Sequence, residues 1–265
     1  MPDIYPGHMK FTFKHPFLFA LLVLPVCLLS CKKDKPGIPP IVTQEDHLAI
    51  KVQPVFGSMT LYLDTTYTTN DGLDIQFTDL KFFAGNWKNG DQTLTDASLF
   101  DYRESGTSFI AVSKSPDDFQ AIQGYLGIGP AVNHTDPTAY PNDSPLNITN
   151  AGGMHWGWNP GYIFMKVEAK VDTIPDGIPL FDHNVVIHVG TDAFLQTLSF
   201  PSVTWATVSA HNYQANMQLD MATFLTNGAQ AINLKTEYIS HSAPGQEALS
   251  AKAIQNFAAA LTFIP

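Results

Sequence analysis

The densest run of chemically versatile side chains in this sequence goes from Met154 through His155, Trp156 and Gly157 to Trp158. Imidazole suits copper, zinc, iron and nickel, and a thioether suits reduced copper, so Met154 and His155 read as half of a soft metal site. His188 is a second histidine in a suitable place, within Val185-Val186-Ile187-His188-Val189-Gly190. Strand alternation puts Val185, Ile187 and Val189 on one face and His188 with Val186 on the other, as a strand-borne ligand requires. His134, within Asn133-His134-Thr135-Asp136, and His183 are further candidates. No pair has the helical i,i+4 or CxxC spacing that specifies a metal alone. His47, His211 and His241 read as structural. The competing reading of the histidines is a satisfied core or surface role, and of Trp156 and Trp158 an aromatic cap on a sheet.

Other chemistries find little footing. There is no nucleophile elbow, no phosphate-cradling glycine loop and no carboxylate pair spaced for acid–base work, so the chain reads as a binding protein, not an enzyme. Lys166 and Glu168 read as a solvated pair of small energetic consequence. Asp117-Asp118 and Asn142-Asp143 are turn residues first, with calcium a weak alternative.

The elements that must position these residues are mostly strands. Leu48, Ile50 and Val52 alternate with Ala49, Lys51 and Gln53, and Met59, Leu61 and Leu63 follow as a second strand. Leu73 to Phe77 alternates and Leu80-Lys81-Phe82 resumes in the opposite phase, which predicts a β-bulge at Thr78-Asp79. Further strands are expected at 107–113, 162–171, 184–190 and 203–209. Gly129-Pro130, Asp136-Pro137, Pro141, Pro145 and Gly152-Gly153 crowd the stretch 124–161, a long central loop. Helices are expected at 218–225 and at 246–261, where Leu249, Ala253, Ile254, Phe257 and Leu261 recur at helical spacing. The expected fold is mainly β: an antiparallel β-sandwich with a long central loop and a C-terminal helix.

At the amino terminus, Lys10 and Lys14 precede an apolar run, Phe17 to Leu29, and then Ser30-Cys31. That run is shorter than the roughly 18 residues a spanning helix needs, and the order is that of a secretory signal peptide. The cysteine directly after the small residue resembles a bacterial lipobox. Residues 1–30 are therefore expected to be a lipoprotein signal, 31–45 a Pro-Gly-rich spacer lipidated at Cys31, and 46–265 one domain. Such a protein is held in the cell envelope, at an outer-membrane, periplasmic or surface face, by its lipid alone. Cys27 and Cys31 are the only cysteines, so the mature chain has no disulfide. Loss of residues 1–30 leaves a more acidic chain than the full sequence, whose net charge is −10. That argues against nucleic acid as a partner.

Taken together, the motifs resemble the MbnP-like family of copper-binding proteins related to the methanobactin partner protein. The resemblance runs over roughly residues 47–263. Its elements are Val55-Phe56-Gly57, Tyr67, Gly72, Leu80-Lys81-Phe82-Phe83, Tyr125-Leu126-Gly127-Ile128, Met154 to Trp158, Gly161-Tyr162-Ile163-Phe164, His188-Val189-Gly190 and Asn256-Phe257. It implies a β-sandwich binding copper through histidines, with a tryptophan near the metal that a dihaem peroxidase-like partner oxidises to kynurenine in some members. An outer-membrane receptor is the other partner it suggests. His188 matches the family's histidine before glycine, and Trp156 or Trp158 its tryptophans. The family often has a first-strand histidine where Gln53-Pro54 stands here, and an aromatic residue where His155 stands. Whether His155 or His134 takes the missing ligand's place stays open.

Three functions follow as expectations. The first is a copper-binding lipoprotein for storage, acquisition or delivery. The second is a metal-free module presenting Trp156, Trp158, Tyr140 and Tyr162 to a glycan or protein. The third is a redox enzyme at the copper.

Overall fold

The computed structural model describes residues 44–265 apart from Trp158, Pro175 and Pro179. The segment expected to be a signal, Cys31 and nearly all of the expected spacer lie outside the described residues, as does Trp158. In chain order the strands are β1 (His47–Phe56), β2 (Met59–Thr60), β3 (Thr66–Thr68), β4 (Asp74–Asn89), β5 (Gln92–Asp101), β6 (Ser108–Ser113) and β7 (Ile122–Leu126). They continue as β8 (Ile163–Asp172), β9 (His183–Gly190), β10 (Gln196–Phe200), β11 (Ala206–Ser209), β12 (Asn212–Asp220), β13 (Ile239–Ser240) and β14 (Leu261–Ile264). Four α-helices join them: α1 (Tyr102–Ser105), α2 (Pro130–Asn133), α3 (Met221–Thr226) and α4 (Glu247–Ala260).

The strands form two sheets. One runs β11-β12-β1-β2, with β14 on β12 and β6 on β1; the other runs β10-β7-β4-β8-β9-β13, with β3 and β5 on β4. Aromatic rings close the space between them. Phe82 of β4 meets Phe109 of β6 at 4.9 Å, Trp87 meets Phe109 at 5.5 Å, and Phe200 of β10 meets Phe263 of β14 at 5.0 Å. Phe82, Phe100 and Trp87 are fully buried, and each aromatic enclosed in this way contributes about 1.5–3 kcal/mol. The sandwich is mainly antiparallel as expected, with two parallel pairings, β1 on β12 and β13 on β9.

The predicted bulge is present, and it matters for everything that follows. The β4–β8 register shifts between Phe77 and Asp79, so Ile75 and Phe77 before it and Leu80 and Phe82 after it all enter the core. An extra residue in one strand reverses which side chains face out. Asp79 and Lys81 are thereby left on the opposite face, beside Glu168 and Lys166 of β8.

The terminal helix also forms, with Ala253, Ile254, Phe257 and Ala260 buried. Phe257 reaches the Phe82 ring at 5.5 Å. Three expectations shift. The second strand, expected from Met59 to Leu63, is paired only at Met59 and Thr60. The helix expected at 218–225 starts at Met221, because β12 runs parallel to β1 up to Asp220, whose carboxylate then caps the N–H of Ala222. The strand expected at 203–209 is paired only from Ala206.

Candidate metal centre

His188 lies on β9 opposite Lys166 of β8, which lies opposite Lys81 of β4, which lies opposite Asp101 of β5. Four adjacent strands thus carry a transverse row of polar side chains on one face of the sheet. Lys81 Nζ is 2.7 Å from Asp101 and 3.7 Å from Asp79, and Lys166 Nζ is 3.0 Å from both Asp79 and Glu168. The row ends where Glu168 Oε1 meets His188 Nε2 at 2.8 Å. Asp79 and Asp101 are nine-tenths buried, and the backbone carbonyl of Gly152 in the central loop also accepts from Lys81. Lys166 and Glu168 are therefore not the freely solvated pair expected: Lys166 retains only 16% of its side-chain exposure. In such surroundings an ion pair survives because each charge has partners, and loss of one partner is expensive.

The Glu168 contact fixes the chemistry of His188. Burial pushes the Glu168 carboxyl up, but hydrogen bonds with Lys166 and His188 outweigh it and hold the group below the usual carboxylate range. Burial also pushes His188 down, against the opposing pull of Glu168, so the imidazole is neutral near pH 7. An ionised carboxylate only accepts, so Nε2 carries the ring's single proton and donates it to Glu168. Nδ1 is left as the lone pair. A carboxylate holding one imidazole nitrogen while the other is free is the usual support of a metal-binding histidine.

A second imidazole stands beside it. β13, two residues long, pairs parallel to β9 with Ile239 opposite Val186 and Ser240 opposite Ile187, so the next residue, His241, arrives next to His188. The ring centroids are 5.0 Å apart and the rings meet edge to face at 79°. The turn is pinned from below: the buried Ser240 and Ser250 hydroxyls are 2.7 Å apart, and Ser242 Oγ accepts from Gly190 N at 3.2 Å. His188, His241 and Trp156 line one open cleft of about 760 Å³, with Asn159, Thr191 and Pro244. Read as structural from the sequence, His241 is the residue that sequence reasoning missed. The signal was slight: it stands 53 positions after His188, and the strand that delivers it is too short to show periodicity.

Trp156 reaches this cleft because β9 ends in glycine. A Cβ on Gly190 would lie 2.6 Å from Trp156 Cζ3 and 2.6 Å from the carbonyl of Tyr162. The indole occupies the space a side chain would fill.

The other expected ligands go elsewhere. Met154 is fully buried, its N–H bonded to Ala151 and its carbonyl to Ile163, and it does not line the cleft. His155 Nδ1 accepts from Gly157 N at 3.1 Å, so Nε2 carries the proton, and Nε2 is enclosed without a hydrogen-bond partner, the ring meeting Tyr162 edge to face with centroids 4.7 Å apart. In this arrangement neither nitrogen of His155 offers a lone pair. His134, at the end of α2, pairs with Asp192 at 3.0 Å, and His183 pairs with Asp182 at 2.9 Å. No group of three or more His, Cys, Asp or Glu side chains is arranged to hold a metal among the described residues. The surface aromatic platform is not assembled either: Tyr162 is fully buried, and Tyr140 lines a different cleft from Trp156.

The sequence model of the family described as MbnP matches residues 45–243. The chain belongs to the MbnP family. That match takes in the strands that carry Glu168 and His188 and reaches just past His241, to Ala243. No curated protein matches the chain. Among solved structures, MbnP from Methylosinus trichosporium is similar, with 15% identity over 78% of this chain and 87% of that one and a TM-score of 0.49.

Proposed function

We propose that this MbnP-family protein is a lipid-anchored copper-binding protein of the bacterial cell envelope, which holds copper for storage, acquisition or delivery and turns over no substrate itself. The observation that carries this reading is the Glu168–His188 bond, which frees Nδ1 of a neutral imidazole in the cleft shared with His241. The donor set fits the metal. Copper accepts imidazole readily, and nitrogens about 2 Å from one ion leave two ring centroids roughly 5–6 Å apart. The spacing of His188 and His241 lies in that range. His188 and His241 would hold the ion, with Trp156 shielding it, so His241 supplies the nitrogen that the sequence sought in His155 or His134. What copper supplies when bound is cargo to hand on, and a dihaem peroxidase-like protein or an outer-membrane receptor would be its counterpart.

Chelator-competition titration of the mature domain with Cu(I) and with Cu(II) tests this. One equivalent bound more tightly than about micromolar in at least one oxidation state, and lost in His188→Ala, is the expected result. Absence of such binding, or equal affinity in His188→Ala, overturns it. Cys31→Ala, expected to move the protein out of the membrane fraction, tests the anchor separately.

A further inference from the structure

A second cleft, of about 470 Å³, opens where β4, β5 and β7 meet α2, and it shares no lining residue with the histidine cleft. Its volume falls in the range of small-molecule sites, which combine an apolar lining with a few polar groups. Ile128 and Leu146 are buried lining residues, and Tyr125, Val132 and Tyr140 are half-buried. Hydrogen bonds fix the Tyr140 side chain and the backbones of both tyrosines. The Tyr140 hydroxyl is 2.6 Å from Thr135 Oγ1, and its carbonyl accepts from Asn147 at 2.7 Å. The carbonyl of Tyr125 accepts from the buried indole of Trp87 at 3.1 Å.

The polar groups of this cleft are Asn86 and Asp96, neighbours across β4 and β5 between the pairs Gly85–Ala97 and Trp87–Thr95. Asn86 has φ of 50°, a left-handed backbone rare away from glycine, inside the stretch where β4 slips register against β7 and just before its slip against β5. Among the described residues, neither its amide, nor the Asp96 carboxylate, nor the Tyr125 hydroxyl makes a hydrogen bond or ion pair. Asp96 is the only charged residue in the lining. A carboxylate at an apolar, tyrosine-lined cleft complements a cation, which the aromatic faces also attract, and opposes an anion.

We propose that this cleft is a second ligand site, taking a small organic amine whose apolar body lies along Tyr125, Tyr140 and Leu146 while its ammonium group meets Asp96 and Asn86. The site stands independently of the copper reading. Phenethylamine, protonated at neutral pH, is the test ligand, with phenylacetate as its anionic counterpart, followed by calorimetry and ligand-observed NMR. Phenethylamine binds in the millimolar range or tighter, phenylacetate does not, and Asp96→Asn, at an exposed position, weakens phenethylamine about tenfold. Val132→Trp, which fills the cleft, removes phenethylamine binding and leaves copper titration unchanged. No binding of phenethylamine at about 10 mM, a comparable affinity for phenylacetate, or undiminished affinity in Asp96→Asn overturns the proposal.

Discussion

His188 Nε2 stands 2.8 Å from Glu168 Oε1, and that one bond decides which ring nitrogen a metal can reach. Glu168→Gln keeps the shape but can both donate and accept, so it no longer enforces the tautomer. Copper affinity in Glu168→Gln should fall about 10- to 100-fold with the fold intact, as measured by chelator competition. An unchanged affinity would mean the carboxylate plays no part in orienting the ligand.

Gly190 is the second lever on the same cleft. In Gly190→Ala the new methyl meets both Trp156 and the Tyr162 carbonyl, which overpacks the end of β9. Stability should drop by about 1–3 kcal/mol in urea denaturation. The emission of Trp156, isolated by difference from Trp156→Phe, should shift to the red as the indole is pushed into water.

The charged row behind His188 should respond to the loss of one member. Lys81→Ala leaves Asp101, nine-tenths buried, without its cation, and removes one of the two from Asp79. A loss of about 3 kcal/mol is expected from denaturant midpoints at constant slope, far above the effect of a surface pair.

This row shows where sequence reasoning succeeded and where it stopped. The phase reversal between Phe77 and Leu80 made the bulge legible, and with it the facing of Asp79 and Lys81. Lys166 and Glu168 alternated on β8 as a solvated face would, and nothing local indicated that Asp79 of β4 and His188 of β9 would close in on them from either side. The strand face of His188 was equally legible, since alternation needs only neighbouring residues. His241 was not, because its position depends on a two-residue pairing with β9 and on hydroxyl contacts from Ser240 to α4. Met154 and His155 had suitable ligand chemistry, but backbone bonds direct one into the core and occupy the other's Nδ1. Of the strands missed, β5 buries only Leu94, Phe100 and Asp101 and so lacks a two-residue period.

The hairpin between β8 and β9 carries a clear acid dependence. Asp182 accepts from the hydroxyl and the N–H of Thr173 at 2.6 and 2.8 Å, and those bonds lower its pKa from 3.8 to about 2. A depressed carboxylate contributes stability that is complete above its unfolded pKa and is lost as the pH falls through the folded value. The tie between Thr173 and Asp182 should hold at pH 4 and above and loosen between 3.8 and about 2. A side-chain carboxyl NMR titration should place the Asp182 midpoint near 2, and Thr173→Ala should move it back up towards an ordinary aspartate.

Anomalous diffraction at the copper edge from crystals of the copper-loaded mature domain tests the central claim most directly. The predicted result is one strong peak about 2 Å from His188 Nδ1 and from a ring nitrogen of His241, beside the Trp156 indole. A peak at His155, at the His134–Asp192 pair or at no histidine would contradict it.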